Sequence, residues 1–143
     1  MRDKTLISLV LVAAIFHVGH MADHIVRGDF PWPPTMQSLP PIIVTIMIYA
    51  VAGSGIYLYW NRRVGPRFWA IAALIGTAMG WLGHFSPFTD QPPRYIFNAY
   101  NSVIAGSLAV GCLVGLMLTL IGTAIYAGYL WSRQSGTAAL PSR

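Results

Sequence analysis

The chain contains no glutamate, one lysine and one cysteine, and charged residues make up only 9% of its 143 positions. A soluble domain carries about 25% charge, so this composition excludes an ordinary water-soluble fold. The single cysteine, Cys112, rules out an intramolecular disulfide and dithiol redox chemistry within one chain. There is no His-Glu-x-x-His zinc signature and no Gly-x-Ser-x-Gly elbow. Ser54, within Gly53-Ser54-Gly55, falls inside an apolar segment, the wrong setting for a serine nucleophile.

What the chain has is apolar length. Hydrophobic residues make up 55% and the mean hydropathy is +0.57. Four apolar stretches, at about 6–26, 41–60, 68–85 and 99–131, are each near or above the roughly 20 residues that cross hydrocarbon as a helix. The predicted fold class is therefore an all-α integral membrane protein, a four-transmembrane-helix bundle forming one domain over residues 1–134, with a frayed polar tail at 135–143. The last stretch, about 50 Å if unbroken, predicts a long tilted helix that projects past one interface. The apolar region that starts at Leu6 continues without a small-residue cleavage site, so it reads as a retained span and not a signal peptide.

Basic residues sort by loop. Arg2 and Lys4, then Arg62, Arg63 and Arg67, then Arg133 and Arg143 fall on one set of loops, and only Arg27 and Arg94 on the other. The positive-inside rule then predicts both termini on the cytoplasmic side of a cytoplasmic membrane, with loops 27–40 and 86–98 facing outward. The net charge of +5 follows from this sorting and gives no ground for a nucleic-acid partner. The outward loops are rich in proline and aromatics (Phe30-Pro31-Trp32-Pro33-Pro34, Pro87-Phe88, Pro92-Pro93) and read as a stiff lid at the interface.

All four histidines, His17, His20, His24 and His84, lie near the outer ends of the first and third spans, with Asp23, Asp29 and Asp90 beside them. Ionisable groups inside apolar sequence carry a desolvation cost that a purely structural membrane protein avoids, which makes this cluster the candidate site. On a helix, His17, His20 and His24 fall within about 60° of one another and form a stripe. The parallel third span brings His84 to the level of His20 and His24. Asp23 lies about 100° from His24, with Arg27 at i+4, which predicts an Asp23–Arg27 ion pair; the alternative role for Asp23 is a hydrogen bond that fixes the His20 tautomer. Arg27-Gly28-Asp29 reads as a turn, and Asp90 with Arg94 as a loop ion pair.

Imidazole is the commonest ligand for zinc, copper and iron, and His20 and His24 have the i,i+4 spacing of helical metal motifs. The leading expectation is a transition-metal site of His20, His24 and His84 near the extracytoplasmic face, with His17 as fourth ligand or inner relay, an oxygen from Asp29 or Asp90, and redox or metal-assisted chemistry. A b-type haem is the rival cofactor, with Gly76, Gly80 and Gly83 clearing space for the porphyrin and Arg27 and Arg94 on its propionates. Two metal-free alternatives remain. One is histidine/aspartate acid-base or proton-coupled carrier work on a lipid-like substrate. The other is a small subunit of a larger membrane complex or homo-oligomer, docking through the glycine pairs Gly76/Gly80 and Gly111/Gly115.

Overall fold

The computed structural model describes residues 3–31, 33–36 and 38–138, with side chains to residue 134. Arg2, Trp32, Arg143 and positions 139–143 of the tail lie outside the described residues. Five helices and no strand occur among the described residues: α1 (Lys4–Val26), α2 (Leu39–Trp60), α3 (Pro66–His84), α4 (Pro93–Asn98) and α5 (Val103–Ala138).

Local chemistry sets these limits. Asp3 caps α1, its carboxylate accepting the Leu6 amide at 2.9 Å. Prolines open α2, α3 and α4 in their first turns, where the missing amide proton costs no helical hydrogen bond. Two helices end in the same closing motif. In α1, Gly28 donates to the Ile25 carbonyl and Asp29 to that of His24, with Gly28 at φ +82°. In α2, Arg62 donates to Tyr59 and Arg63 to Leu58, with Arg62 at φ +59°. Both are Schellman caps, and the left-handed position suits glycine far better than arginine.

Three helices are long and apolar enough to cross a membrane: α1, α2 and the Val103–Gln134 stretch of α5. The third predicted span, α3, is not among them, because glycine, tryptophan, Arg67 and His84 dilute its apolar content. The fourth span starts later than the sequence suggested. Pro92-Pro93 opens the separate short helix α4, residues 99–102 turn, and Ser102 accepts the Ala105 amide at 3.4 Å as α5 begins. From there α5 runs unbroken for 36 residues, about 54 Å, and its backbone carries through 135–138, positions expected to fray.

The long helix α5 is the hub, with α1, α3 and α4 packed on it. One core cluster joins Leu6, Val10, Tyr59, Trp69, Ala70 and Ala127, and a second joins Ile96, Ala109, Leu113 and Met117. Helix α2 is peripheral. Its C-terminal end seats Gly55 against the Phe68 and Trp69 rings, and two polar rungs tie it to antiparallel α1: Tyr49 shares a 2.9 Å hydrogen bond with His17 Nδ1, and Thr45 Oγ1 lies 3.6 Å from Met21 Sδ.

The glycine faces expected to dock partners are largely used inside the chain. Leu120 lies over Gly76, Met117 over Gly80 and Phe16 over Gly115, whereas Gly111 faces open space. Gly106 is the least forgiving case, since a Cβ there would sit 2.7 Å from a backbone atom, the oxygen of Phe97. Backbone cannot swing aside as a side chain can. Gly106→Ala is therefore expected to destabilise the α4–α5 corner by about 1–3 kcal/mol, read as a lower thermal unfolding midpoint in detergent.

Candidate metal centre

The C-terminal ends of α1 and α3 meet through imidazoles. His20 Nε2 lies 3.1 Å from His84 Nε2 and 3.2 Å from His24 Nε2. One ring nitrogen from each of the three lies within 4.8 Å of the others, so His20, His24 and His84 could hold a metal ion. His20 and His84 are buried, at 6% and 8% exposure. The i,i+4 spacing on α1 aligns His20 and His24, and the packing of both helices on α5 brings in His84.

The outer nitrogens decide which tautomers are present. His84 Nδ1 lies 3.0 Å from the Gln91 carbonyl oxygen, and His24 Nδ1 lies 2.7 Å from the Asp29 carboxylate. Both partners only accept, so both Nδ1 atoms carry protons in the neutral rings and both Nε2 atoms turn lone pairs inward. Arg27 Nη2, 3.2 Å from His24 Nδ1, is then a neighbour and not a hydrogen-bond donor to it. His20 cannot satisfy every neighbour while neutral. With its proton on Nε2, it donates inward, but Nδ1 turns a lone pair toward Asp23 Oδ2 at 4.0 Å; with its proton on Nδ1, three lone pairs converge. His20 Nδ1 is a buried atom with no hydrogen-bond partner. A cation among the three Nε2 atoms removes both conflicts.

The Schellman cap explains how Asp29 reaches His24. The left-handed turn at Gly28 folds Asp29 back over the last turn of α1, where its amide meets the His24 carbonyl and its carboxylate meets the His24 ring. Asp29 thus stands behind the imidazole, on the side away from the other histidines, and not on the inner side where the sequence reading offered it as an oxygen ligand. The second loop is arranged similarly. Thr89 Oγ1 donates to the Gly83 carbonyl and accepts the Gln91 amide, which leaves the Gln91 carbonyl facing His84.

Around the histidines lies a charge network. Arg27 Nε and Nη2 each donate to Asp23 at 3.0 Å, its Nη1 reaches Asp29 at 2.9 Å, and Tyr100 Oη donates to Asp23 at 2.8 Å. The predicted Asp23–Arg27 pair is present, which leaves Asp23 too far from His20 for a hydrogen bond. Two carboxylates and one guanidinium give the network a net charge of −1, favourable to a nearby cation. Burial works against the Arg27 charge, but the Asp23 hydrogen bonds and both carboxylates raise its pKa above the ordinary value.

Tyr100, in the connection between α4 and α5, is pushed up to about 12 by burial and by its hydrogen bond to Asp23. A raised folded-state pKa means that this contribution to stability is complete below pH 10 and is lost as the pH climbs through 12. Tyr100→Phe is expected to flatten the alkaline limb of the stability profile between those values, measured as the difference from wild type in denaturation at stepped pH.

Other expected members stand apart. His17 is drawn to Tyr49 of α2 and is not in the group of three. Asp90 and Arg94 are both exposed, and no ion pair joins them among the described residues. Of the lid, Phe30 packs 5.7 Å from the His24 ring, whereas Phe88 projects outward at 92% exposure. Tyr49, Tyr100 and the Gln91 carbonyl were not anticipated: the tyrosines lie far away in sequence, and a backbone carbonyl leaves no residue-type signal. No protein-family model, curated protein or solved structure matches the chain.

Proposed function

We propose that this is a membrane protein that binds one first-row transition ion through the Nε2 atoms of His20, His24 and His84. The observation that carries the reading is the convergence of these nitrogens with hydrogen-bond acceptors fixed behind two of the three rings. Metal-ligating histidines characteristically hold their outer N–H on a carboxylate or carbonyl, as His24 does on Asp29 and His84 on Gln91. Ligands about 2.05 Å from a tetrahedral ion stand about 3.3 Å apart, near the observed 3.1 and 3.2 Å. An all-imidazole donor set suits zinc or copper, and three protein ligands leave room for a water or substrate, which such an ion activates as a Lewis acid or, if copper or iron, by electron transfer.

A haem fits less well. Axial nitrogens on opposite faces of a porphyrin stand about 4 Å apart, with the macrocycle between the rings, whereas His20 and His84 are in direct contact at 3.1 Å. Arg27 is committed to Asp23 and Asp29, so it is not free to take a propionate.

In the same reading α3 completes a four-span bundle with both termini cytoplasmic, and the three histidines lie near the extracytoplasmic face. The packing of α3 on α5 and the sorting of arginines favour this arrangement. The metal-free alternative places a proton on His20 in place of the ion and makes the cluster an acid-base centre.

Elemental analysis of untagged protein from mild detergent, followed by zinc and copper titration of the stripped protein, separates the two. The expected result is one ion per chain, absent from a variant with His20, His24 and His84 all replaced by alanine. Equal metal in wild type and that variant would overturn the proposal and leave the proton reading standing.

A further inference from the structure

A second cluster of unusual residues lies at the other end of the helices, in the turn between α2 and α3. A cavity of about 330 Å³ is lined there by Tyr59, Arg62, Arg63, Val64, Pro66 and Gln134, among others. Arg62 is the only non-glycine residue at positive φ among the described residues. It occupies the same Schellman position that Gly28 occupies at the end of α1, where the chain uses the unstrained residue. A strained backbone kept at a site with an obvious unstrained alternative points to a role for the side chain.

The side chains of Arg62 and Arg63 make no ion pair or hydrogen bond among the described residues. Across the cavity, α3 begins at Gly65-Pro66 with no side-chain cap and no acidic residue in its first turn. Pro66 has no amide proton and the Phe68 amide donates to the Gly65 carbonyl, so what this end offers is the positive end of the helix dipole. Asp3, whose amide donates to Tyr59 Oη beside this turn, is occupied: its carboxylate accepts from the Leu6 amide and from Tyr126 Oη. Two arginines with no ion pair among the described residues and an uncapped helix start therefore surround one cavity, and none of its lining residues is acidic.

We propose that this cavity binds the phosphate of an anionic phospholipid. Arg62 and Arg63 hold the phosphate oxygens opposite the α3 N-terminus, and the acyl chains run along the exposed apolar surfaces of α2 and α3, which include Ile71 and Ile75. A lipid is favoured over a soluble anion because the cavity opens where apolar helices end. Arg67 stacks 5.1 Å above the Trp131 ring beside it, an interface-level arrangement in which the charge stays at the headgroups and the indole meets the hydrocarbon.

The test is native mass spectrometry of the full chain in neutral detergent with phosphatidylglycerol or phosphatidylcholine added, and with inorganic phosphate as competitor. Wild type is expected to retain phosphatidylglycerol preferentially. Arg62→Gln and Arg63→Gln are each expected to weaken that retention about fivefold, the effect of one basic residue at an anionic headgroup. Arg62→Gly is the informative variant, because it relieves the backbone while deleting the charge. It is expected to unfold at a temperature no lower than wild type and yet to retain phosphatidylglycerol about fivefold more weakly. Equal retention of both lipids, or wild-type retention by Arg62→Gly, overturns the proposal. Displacement by inorganic phosphate without any preference between the lipids assigns the cavity to a soluble phosphate and overturns the lipid reading.

Discussion

His84→Ala is expected to take bound metal from one ion per chain to a small fraction of that under the same purification. Structural zinc sites with four ligands bind with roughly 10–16 kcal/mol, so one ligand contributes on the order of 3 kcal/mol, or about a hundredfold in affinity. His84 is also the member of the group of three that comes from the second helix, and without it His20 and His24 would offer an ion only two nitrogens from one helix. The readout is zinc or copper affinity by competition with a chromophoric chelator. His17→Ala is the paired control, because His17 faces Tyr49 and is outside the group of three. Its affinity should match wild type. Equal losses in the two variants would sink the three-histidine site, since they would mark a general loss of structure.

The second large effect is expected at Arg27. The Arg27 and Asp23 side chains are 3% and 1% exposed, and their bidentate contact leaves neither charge facing water. Removing one partner strands the other. Arg27→Ala is expected to lower stability by about 3–5 kcal/mol, measured by denaturation in detergent. The double variant Arg27→Met with Asp23→Leu should recover a good part of that loss, because the desolvation of both charges disappears together. Metal affinity should respond differently. Arg27 also steadies Asp29, the acceptor behind His24, so even the double variant should bind metal about 10–100-fold more weakly than wild type. A double variant with wild-type affinity would confine Arg27 to a structural role.

The two ends of α1 and α2 show how far a local sequence signal reaches. Arg27-Gly28-Asp29 was legible as a turn because glycine after a helix tolerates a left-handed backbone, and Gly28 adopts it. Nothing comparable marked Asn61-Arg62-Arg63, where arginine takes the same conformation against its preference. Asp29 reads from the sequence as an auxiliary residue or an oxygen donor, and its hydrogen bond to the His24 ring is an auxiliary contact. Its proximity to His24 follows from the turn, but which side of the ring it takes depends on Arg27 and the loop geometry. The last span reads from about Ala99, whereas α5 begins at Val103, after a turn at residues 99–102 that holds the polar pair Asn101 and Ser102.

Residue type and a fixed rotation of about 100° per residue suffice for the apolar helices, the shared face of His20 and His24, and the Asp23–Arg27 pair. Packing between helices is what makes His84 meet His20 while His17 turns away to Tyr49, brings Tyr100 to Asp23, and makes α5 the hub on which α1 and α3 converge. Those contacts span tens of residues, from 32 between His17 and Tyr49 to 77 between Asp23 and Tyr100. Their register is set by which side chains interlock between helices, such as Phe16 over Gly115 and Met117 over Gly80, and no spacing rule within a single helix carries that information.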